Sequence, residues 1–197
     1  SAMHPNAAFC FLQILVLLAN PHSVPAADEL QTLAATLRAE TGFQGGLIVH
    51  LGSGDGSLTA ALANPPAARL IHRLDRCAEN VARLREGFRR RGLLGSVSVQ
   101  QLVGSDVPLI DNVVNLLVID EGDRETPAIA ELEILRVLCP GGTAYVRREG
   151  TWQKTTKVWP DGIDQWTHYL HSPNNNAVAD DRLVSHPCSV QWVSDPK

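Results

Sequence analysis

An α/β domain built on a doubly wound, mostly parallel sheet is the fold this sequence predicts, and three observations predict it. Short apolar runs alternate with amphipathic ones from Asp28 to Arg147, the βαβ pattern that puts helices on both faces of a parallel sheet. A glycine cluster, Gly52-Ser53-Gly54-Asp55-Gly56, follows directly on the first apolar run. Hydrophobic residues make up 44% of the 197 residues and charged residues 19%, which gives enough apolar mass for a core and too little charge for a disordered chain.

The elements follow in order. Asp28 to Thr41 sets Leu30, Leu33, Ala34 and Leu37 on one helical face, with Asp28 at the N-cap, and Gly42, Gly45 and Gly46 end it. Leu47 to Leu51, with two β-branched residues, reads as a buried strand. Ser57 is read as the cap of a helix reaching Ala63, which Asn64-Pro65-Pro66 stops. Ala68 to Leu74 is a second strand with Asp75 at its end. Cys77 to Arg91 is a helix that turns Val81, Leu84 and Phe88 inward, closed by Gly92. Val97 to Val103 and Val113 to Ile119 are the third and fourth strands. Pro127 to Leu138 is a helix, Pro140-Gly141-Gly142 a turn, and Thr143 to Arg147 the fifth strand. No convincing pair of strands follows Arg148. That leaves open a sheet that stops at five strands, its edge bare or covered by the tail.

Three regions result. Residues 1–27 carry an eleven-residue apolar run, Phe9 to Ala19, too short to span a bilayer and followed by small residues at Ser23 to Ala27. This resembles a secretory signal peptide without its basic n-region, so a periplasmic or secreted location is expected if the segment is genuine, and a cytoplasmic one otherwise. Residues 28–150 are the α/β domain. Residues 151–197 form an irregular extension that holds all four tryptophans.

The net charge of −4 gives no global attraction to nucleic acid. The five arginines between Arg83 and Arg91 read as cations that complement a helix C-terminus rather than as a nucleic-acid patch. Cys10, Cys77, Cys139 and Cys188 are scattered, so no disulfide framework or cysteine-rich metal site is signalled. His168, His171, His186 and Cys188 could number four zinc ligands, but their spacing is no recognised finger. Local hydrogen bonding is the expectation, and no metal is assigned.

The glycine cluster carries the chemistry. Glycine lets the chain turn sharply and lets a ligand approach the main chain, beyond the carboxyl end of a strand. Asp75 ends the next strand 19 residues after Gly56, where a carboxylate can accept both hydroxyls of a ribose. A further acid, Asp106, follows the third strand in Gly104-Ser105-Asp106. For a dinucleotide fingerprint the third glycine would fall at Ser57, which weakens NAD as the ligand.

With these residues in place, positions 46 to 147 resemble a class I S-adenosylmethionine-dependent methyltransferase domain, a Rossmann-like fold. His50 to Gly56 resembles the first motif of that family, and Asp75 its ribose-binding acid. Ser105-Asp106 resembles the element beside the adenine, Asp111 to Leu117 the lead into strand four, and Leu135 to Gly142 the turn before strand five. The resemblance implies S-adenosylmethionine as cofactor, held by His50, Gly52, Ser53, Gly54, Asp55, Gly56, Asp75, Ser105 and Asp106. Asp120, at the end of strand four, is the candidate for orienting an acceptor or taking its proton. One departure stands out. Where the family carries an acid two residues before the first glycine, this chain has His50, and an imidazole supplies no permanent negative charge.

A second resemblance covers the extension. Trp159-Pro160-Asp161, Trp166 to His171, Asn175 to Ala179 and Gln191 to Val193 look like the lead-in to a secreted pyrroloquinoline-quinone-type β-propeller, which would follow Lys197. Two functions are therefore carried forward. One is a methyltransferase-like domain acting on an unknown small-molecule or protein acceptor. The other is a non-catalytic scaffold or ligand-binding domain of a secreted propeller protein. Neither involves nucleic acid or a stable membrane span.

Overall fold

The computed structural model describes residues 27–42, 45–63, 69–120, 128–148, 150–164, 167–171, 173–174, 176 and 178–183. The Phe9 to Ala19 run, Asn64 to Pro66, Trp166, Trp192, His186 and Cys188 lie outside the described residues. The elements are α1 (Ala27–Thr41), β1 (Gly46–Gly52), α2 (Ser57–Ala63), β2 (Arg69–Asp75), α3 (Ala78–Arg90), β3 (Val97–Gln101), β4 (Val114–Asp120), α4 (Glu131–Val137), β5 (Leu138–Arg148) and β6 (Thr151–Thr156). They form a six-stranded sheet in the order β3-β2-β1-β4-β5-β6. The first five strands run parallel and β6 pairs antiparallel with β5.

Alternation along each strand sorts the core into two layers. Ile48 on β1, Ile71 on β2, Val97 and Val99 on β3, Leu116 and Val118 on β4 and Tyr145 on β5 face α1, α2 and α3, where Leu37, Leu62, Leu84 and Phe88 close over them. Val49 and Leu51 on β1, Leu74 on β2, Leu117 and Ile119 on β4 and Ala144 on β5 face α4 and the 102–113 connection, against Leu102, Val107, Ile134 and Val137. The second layer is the thinner one. Leu70 on β2 is 61% exposed there, and beside it His72 bonds Ser98 at 2.7 Å and Gln100 at 3.1 Å across the bare sheet.

Three expectations are corrected. The sheet does not stop at five strands: Thr151 to Thr156 returns beside β5, and Gly150, at φ 82, makes the reversal. Ser57 is the first residue of helix α2 and not its cap, and Asp55, two residues earlier, holds the helix start. The Asp55 carboxylate accepts from the Ser57 amide at 2.9 Å and from the Ser57 hydroxyl at 2.8 Å. The Pro140-Gly141-Gly142 turn proves to be a bulge inside β5. Leu138 pairs with Val114 and Thr143 with Leu116, so three extra residues loop out of register. Gly142 fits there because a Cβ would stand 2.7 Å from the Val114 carbonyl oxygen.

The outer strand β3 is held from α3. Arg85 donates to the Val99 carbonyl from Nε at 3.0 Å and from Nη2 at 2.8 Å, and the Val97 amide donates to Leu93 at 2.9 Å. At the other end, Lys157 follows β6 and closes α4. Its ammonium donates to the carbonyls of Leu135 at 2.7 Å and Leu138 at 2.9 Å, and to the Asn112 side chain at 2.6 Å. Lys157→Met should therefore lower stability by about 1.5–3 kcal/mol, the worth of hydrogen bonds from a charged donor. Urea denaturation monitored by circular dichroism checks this, and an unchanged midpoint would reduce Lys157 to a surface cation.

Candidate cofactor site

Parallel register brings the site together at the carboxyl ends of β1, β2 and β4. His50 sits opposite Arg73 and Val118, and Gly52 opposite Asp120. A cleft of about 240 Å³ opens there, lined by His50, Gly52, Gly54, Asp55, Gly56, Ser57, Arg73, Asp120 and Arg147, with Leu30 and Leu58 as its apolar side. This is tighter than the roughly 300–1,000 Å³ of most small-molecule sites. Gly54 faces open space, since a Cβ there would meet nothing within 4 Å, so the loop offers bare backbone to a ligand. Gly56, at φ 84, is locked from behind. A Cβ on it would come within 2.7 Å of Leu84 and 2.8 Å of Phe88.

Arg73 is the residue that sequence reading passed over. It points to the same face as Asp75, two residues on, and its side chain is 1% exposed. Its Nη2 donates to Asp75 Oδ2 at 3.2 Å and reaches the Gly54 carbonyl at 3.5 Å. Its Nη1 stands 3.2 Å from both ring nitrogens of His50, shared between them rather than aimed at one lone pair. Its Nε is buried without a partner among the described residues. A charged residue in the middle of an apolar strand, at a spacing of two from an acid, is the signal that could have found it.

Asp75 is sequestered. Oδ1 accepts from the Cys77 amide at 2.9 Å, and Oδ2 accepts from Arg73 and from Asn80 Nδ2 at 2.6 Å. The carboxylate, expected to face ribose hydroxyls, is 1% exposed and does not line the cleft. Asn80 ties the arrangement to the loop by a second donation to the Gly54 carbonyl at 3.2 Å. Asp120 does border the cleft, paired with Arg147 of β5 at 3.2 Å. Ser53 is exposed on the loop and is not among the lining residues. Ser105 and Asp106 stand on an exposed turn beside Gly104, bonded to each other at 3.4 Å and outside the lining. The arginine cluster of α3 is partly self-neutralised, with Glu86 pairing both Arg89 and Arg90. In the extension, His168 bonds Thr167 at 2.8 Å and His171 bonds Asp164 at 2.5 Å. Among the described residues no cluster of His, Cys, Asp and Glu could hold a metal, and no helix is long and apolar enough to cross a membrane.

His50 is 3% exposed and bonds Thr59 at 2.9 Å. Burial, reinforced by the neighbouring Arg73 charge, holds its pKa well below 6.5. His72 is shifted in the same direction by its own burial, against the opposing hydrogen bond to Gln100. As pH falls through about 6.5 the unfolded chain takes up these protons and the folded chain does not. The stability these groups permit is therefore complete above that pH and is lost progressively below it, by at most about 1.4 kcal/mol per pH unit per group. Thermal unfolding at pH 7.5 and 5.5 should show a smaller drop for His50→Gln than for the parent. Identical drops would mean that His50 is not the group concerned. Asp55 acts in the same direction at lower pH, its stabilising effect being lost as its carboxylate protonates. Burial disfavours its charge, but the Ser57 amide and hydroxyl and the Arg91 charge outweigh this and keep its pKa below the usual range.

A six-stranded sheet of this order with a glycine loop at the end of β1 is a Rossmann-like arrangement, and comparison with known proteins supports a methyltransferase-like domain. The family described as "Methyltransferase domain" matches residues 49–146, about half of the chain. A putative S-adenosylmethionine-dependent methyltransferase from Methanococcus maripaludis is similar at 27% identity and TM-score 0.55, over 61% of this chain and 55% of that one. A putative sarcosine dimethylglycine methyltransferase from Galdieria sulphuraria shares the fold at 22% identity and TM-score 0.52, over 60% and 46%. The [4+2]-cyclase SpnF is similar at 25% identity and TM-score 0.50, over 61% and 47%. The chain thus spans about half the length of these structures. No curated protein matches the chain by sequence.

Proposed function

We propose that the cleft beneath Gly52 to Gly56 binds S-adenosylmethionine and that the domain transfers its methyl group to an acceptor arriving at the end of β4. The open face of Gly54 carries this reading, because it is where a ligand can lie against bare backbone at the end of β1. When bound, the cofactor's sulfonium supplies an electrophilic methyl. The chain's own part is positioning and exclusion of water. Leu30 and Leu58 furnish the apolar wall, and the Gly54 backbone the floor. Asp120, held by Arg147, stands at the mouth, placed to orient an acceptor or receive its proton. Asp75 holds Arg73, Asn80 and the Cys77 amide in place behind the loop and so positions the cleft wall.

Isothermal titration with S-adenosylmethionine and S-adenosylhomocysteine, with NAD as control, tests the reading. Micromolar binding of the adenosyl ligands and none of NAD supports it. If the adenosyl ligands fail to bind, it is wrong. The engagement of the Asp75 carboxylate inside the fold favours a second reading, a non-catalytic scaffold; its place before a secreted β-propeller, with residues 1–27 as an export signal, rests on the sequence resemblance alone. The similarity to a cyclase also supports separating this fold from methyl transfer.

A further inference from the structure

The charges lining the cleft are unequally spent. Both oxygens of Asp55 are taken by Ser57, and Asp120 is paired with Arg147. Arg73, by contrast, keeps a buried Nε with no acceptor among the described residues, while its Nη1 is hydrogen-bonded to the His50 ring and not to a charged group. Asp75, its one ion-pair partner among the described residues, is shared with Asn80 and with the Cys77 amide. A guanidinium offers five donors in a planar fork suited to anionic oxygens, and here part of that fork is unused at the wall of a cleft. The cleft wall under the glycine loop thus sets a buried guanidinium donor beside carboxylates, Asp55 and Asp120, that already accept bonds from other groups.

We propose that Arg73 selects the anionic end of an adenosine-bearing ligand, so that binding depends on a carboxylate or phosphate oxygen and hardly at all on an ammonium group. This rests on the adenosyl-binding reading of the cleft. The shared chemistry is an anionic oxygen group attached to adenosine. Its sources are the α-carboxylate of an S-adenosyl amino acid or the phosphate of an adenine nucleotide. His50, next to Arg73, accompanies this choice: a carboxylate at that position would form a charged pair with the guanidinium, whereas the imidazole gives Nη1 an uncharged partner.

The parent protein itself provides the test, by titration with ligands that differ in one group. The series is S-adenosylhomocysteine, its decarboxylated and deaminated counterparts, 5′-methylthioadenosine and adenosine 5′-monophosphate. Loss of the carboxylate should weaken binding by at least about tenfold, and loss of the ammonium by less than about threefold. Tighter binding of the monophosphate than of either S-adenosylhomocysteine or methylthioadenosine would support the same selection with phosphate as the source. Equal binding of all five ligands, or a greater loss from removing the ammonium, would overturn the role of Arg73 and leave the adenosyl site standing. If none of the five binds, the adenosyl reading fails and this proposal with it. Arg73→Gln, where circular dichroism shows it folded, should bind methylthioadenosine as the parent does and lose the preference for the anion. Retention of that preference would also overturn the proposal.

Discussion

Asp75→Ala should lower stability by about 3–5 kcal/mol, a large effect for a residue expected to serve a ligand. The reason lies in what it leaves behind. Arg73 is 1% exposed and Asp75 is its one ion-pair partner among the described residues, so the alanine variant strands a guanidinium in the interior. Asn80 and the Cys77 amide lose an acceptor at the same moment. Replacing both members of the pair with apolar residues of similar size, Arg73→Met with Asp75→Leu, should restore most of the loss, because the desolvation cost leaves with the charges. Chemical denaturation of the two variants decides the point. A single variant as stable as the parent would mean that the pair is not formed in solution. It follows that loss of ligand binding in Asp75→Ala proves nothing unless the variant is first shown to be folded.

Gly54→Val and Gly56→Val should separate binding from folding. At Gly54 the backbone does not have a positive φ and the space around a Cβ is empty, so a valine costs the fold little, within about 0.5 kcal/mol. It does occupy the approach to the loop, and adenosyl-ligand binding should be abolished. At Gly56 a side chain meets both a φ of 84° and contacts at 2.7 and 2.8 Å with Leu84 and Phe88. The left-handed backbone costs roughly 1–2 kcal/mol. Overpacking against α3 adds roughly 1–3 kcal/mol. Melting temperature and titration on the same preparations test the contrast. Normal binding by a folded Gly54→Val would place the ligand elsewhere.

Most of the sheet could be read in the sequence because its inner strands are buried on both faces and appear as plain apolar runs, Leu47 to Leu51 and Val113 to Ile119 above all. β6 was hidden because an edge strand need not show such a run. Thr151 to Thr156 contributes one apolar side chain, Trp152, which packs on the layer beneath α1 and α2. Its register is set by pairing with β5 and by the Gly150 reversal. The candidate site was legible where backbone geometry makes it, in the glycine loop and its position at a strand end. It was less legible where side chains choose partners. Position 75 looks like a ligand-facing acid, and nothing local reveals that Arg73 and Asn80 have already engaged it. That outcome is a competition among neighbours brought together by strand pairing, and spacing along the chain does not encode which neighbour wins.

The double donation of Arg85 to the Val99 carbonyl has a consequence for how the molecule keeps to itself. The outward-facing main chain of a boundary strand is a template on which another chain can add a strand of its own. On β3 two of those template positions are already filled, the Val99 oxygen by Arg85 and the Val97 amide by Leu93. An incoming strand would have to displace a guanidinium that belongs to a packed helix before it could pair with the Val99 carbonyl. The side chain that fastens α3 to the sheet therefore also shields this border against fibril-like growth.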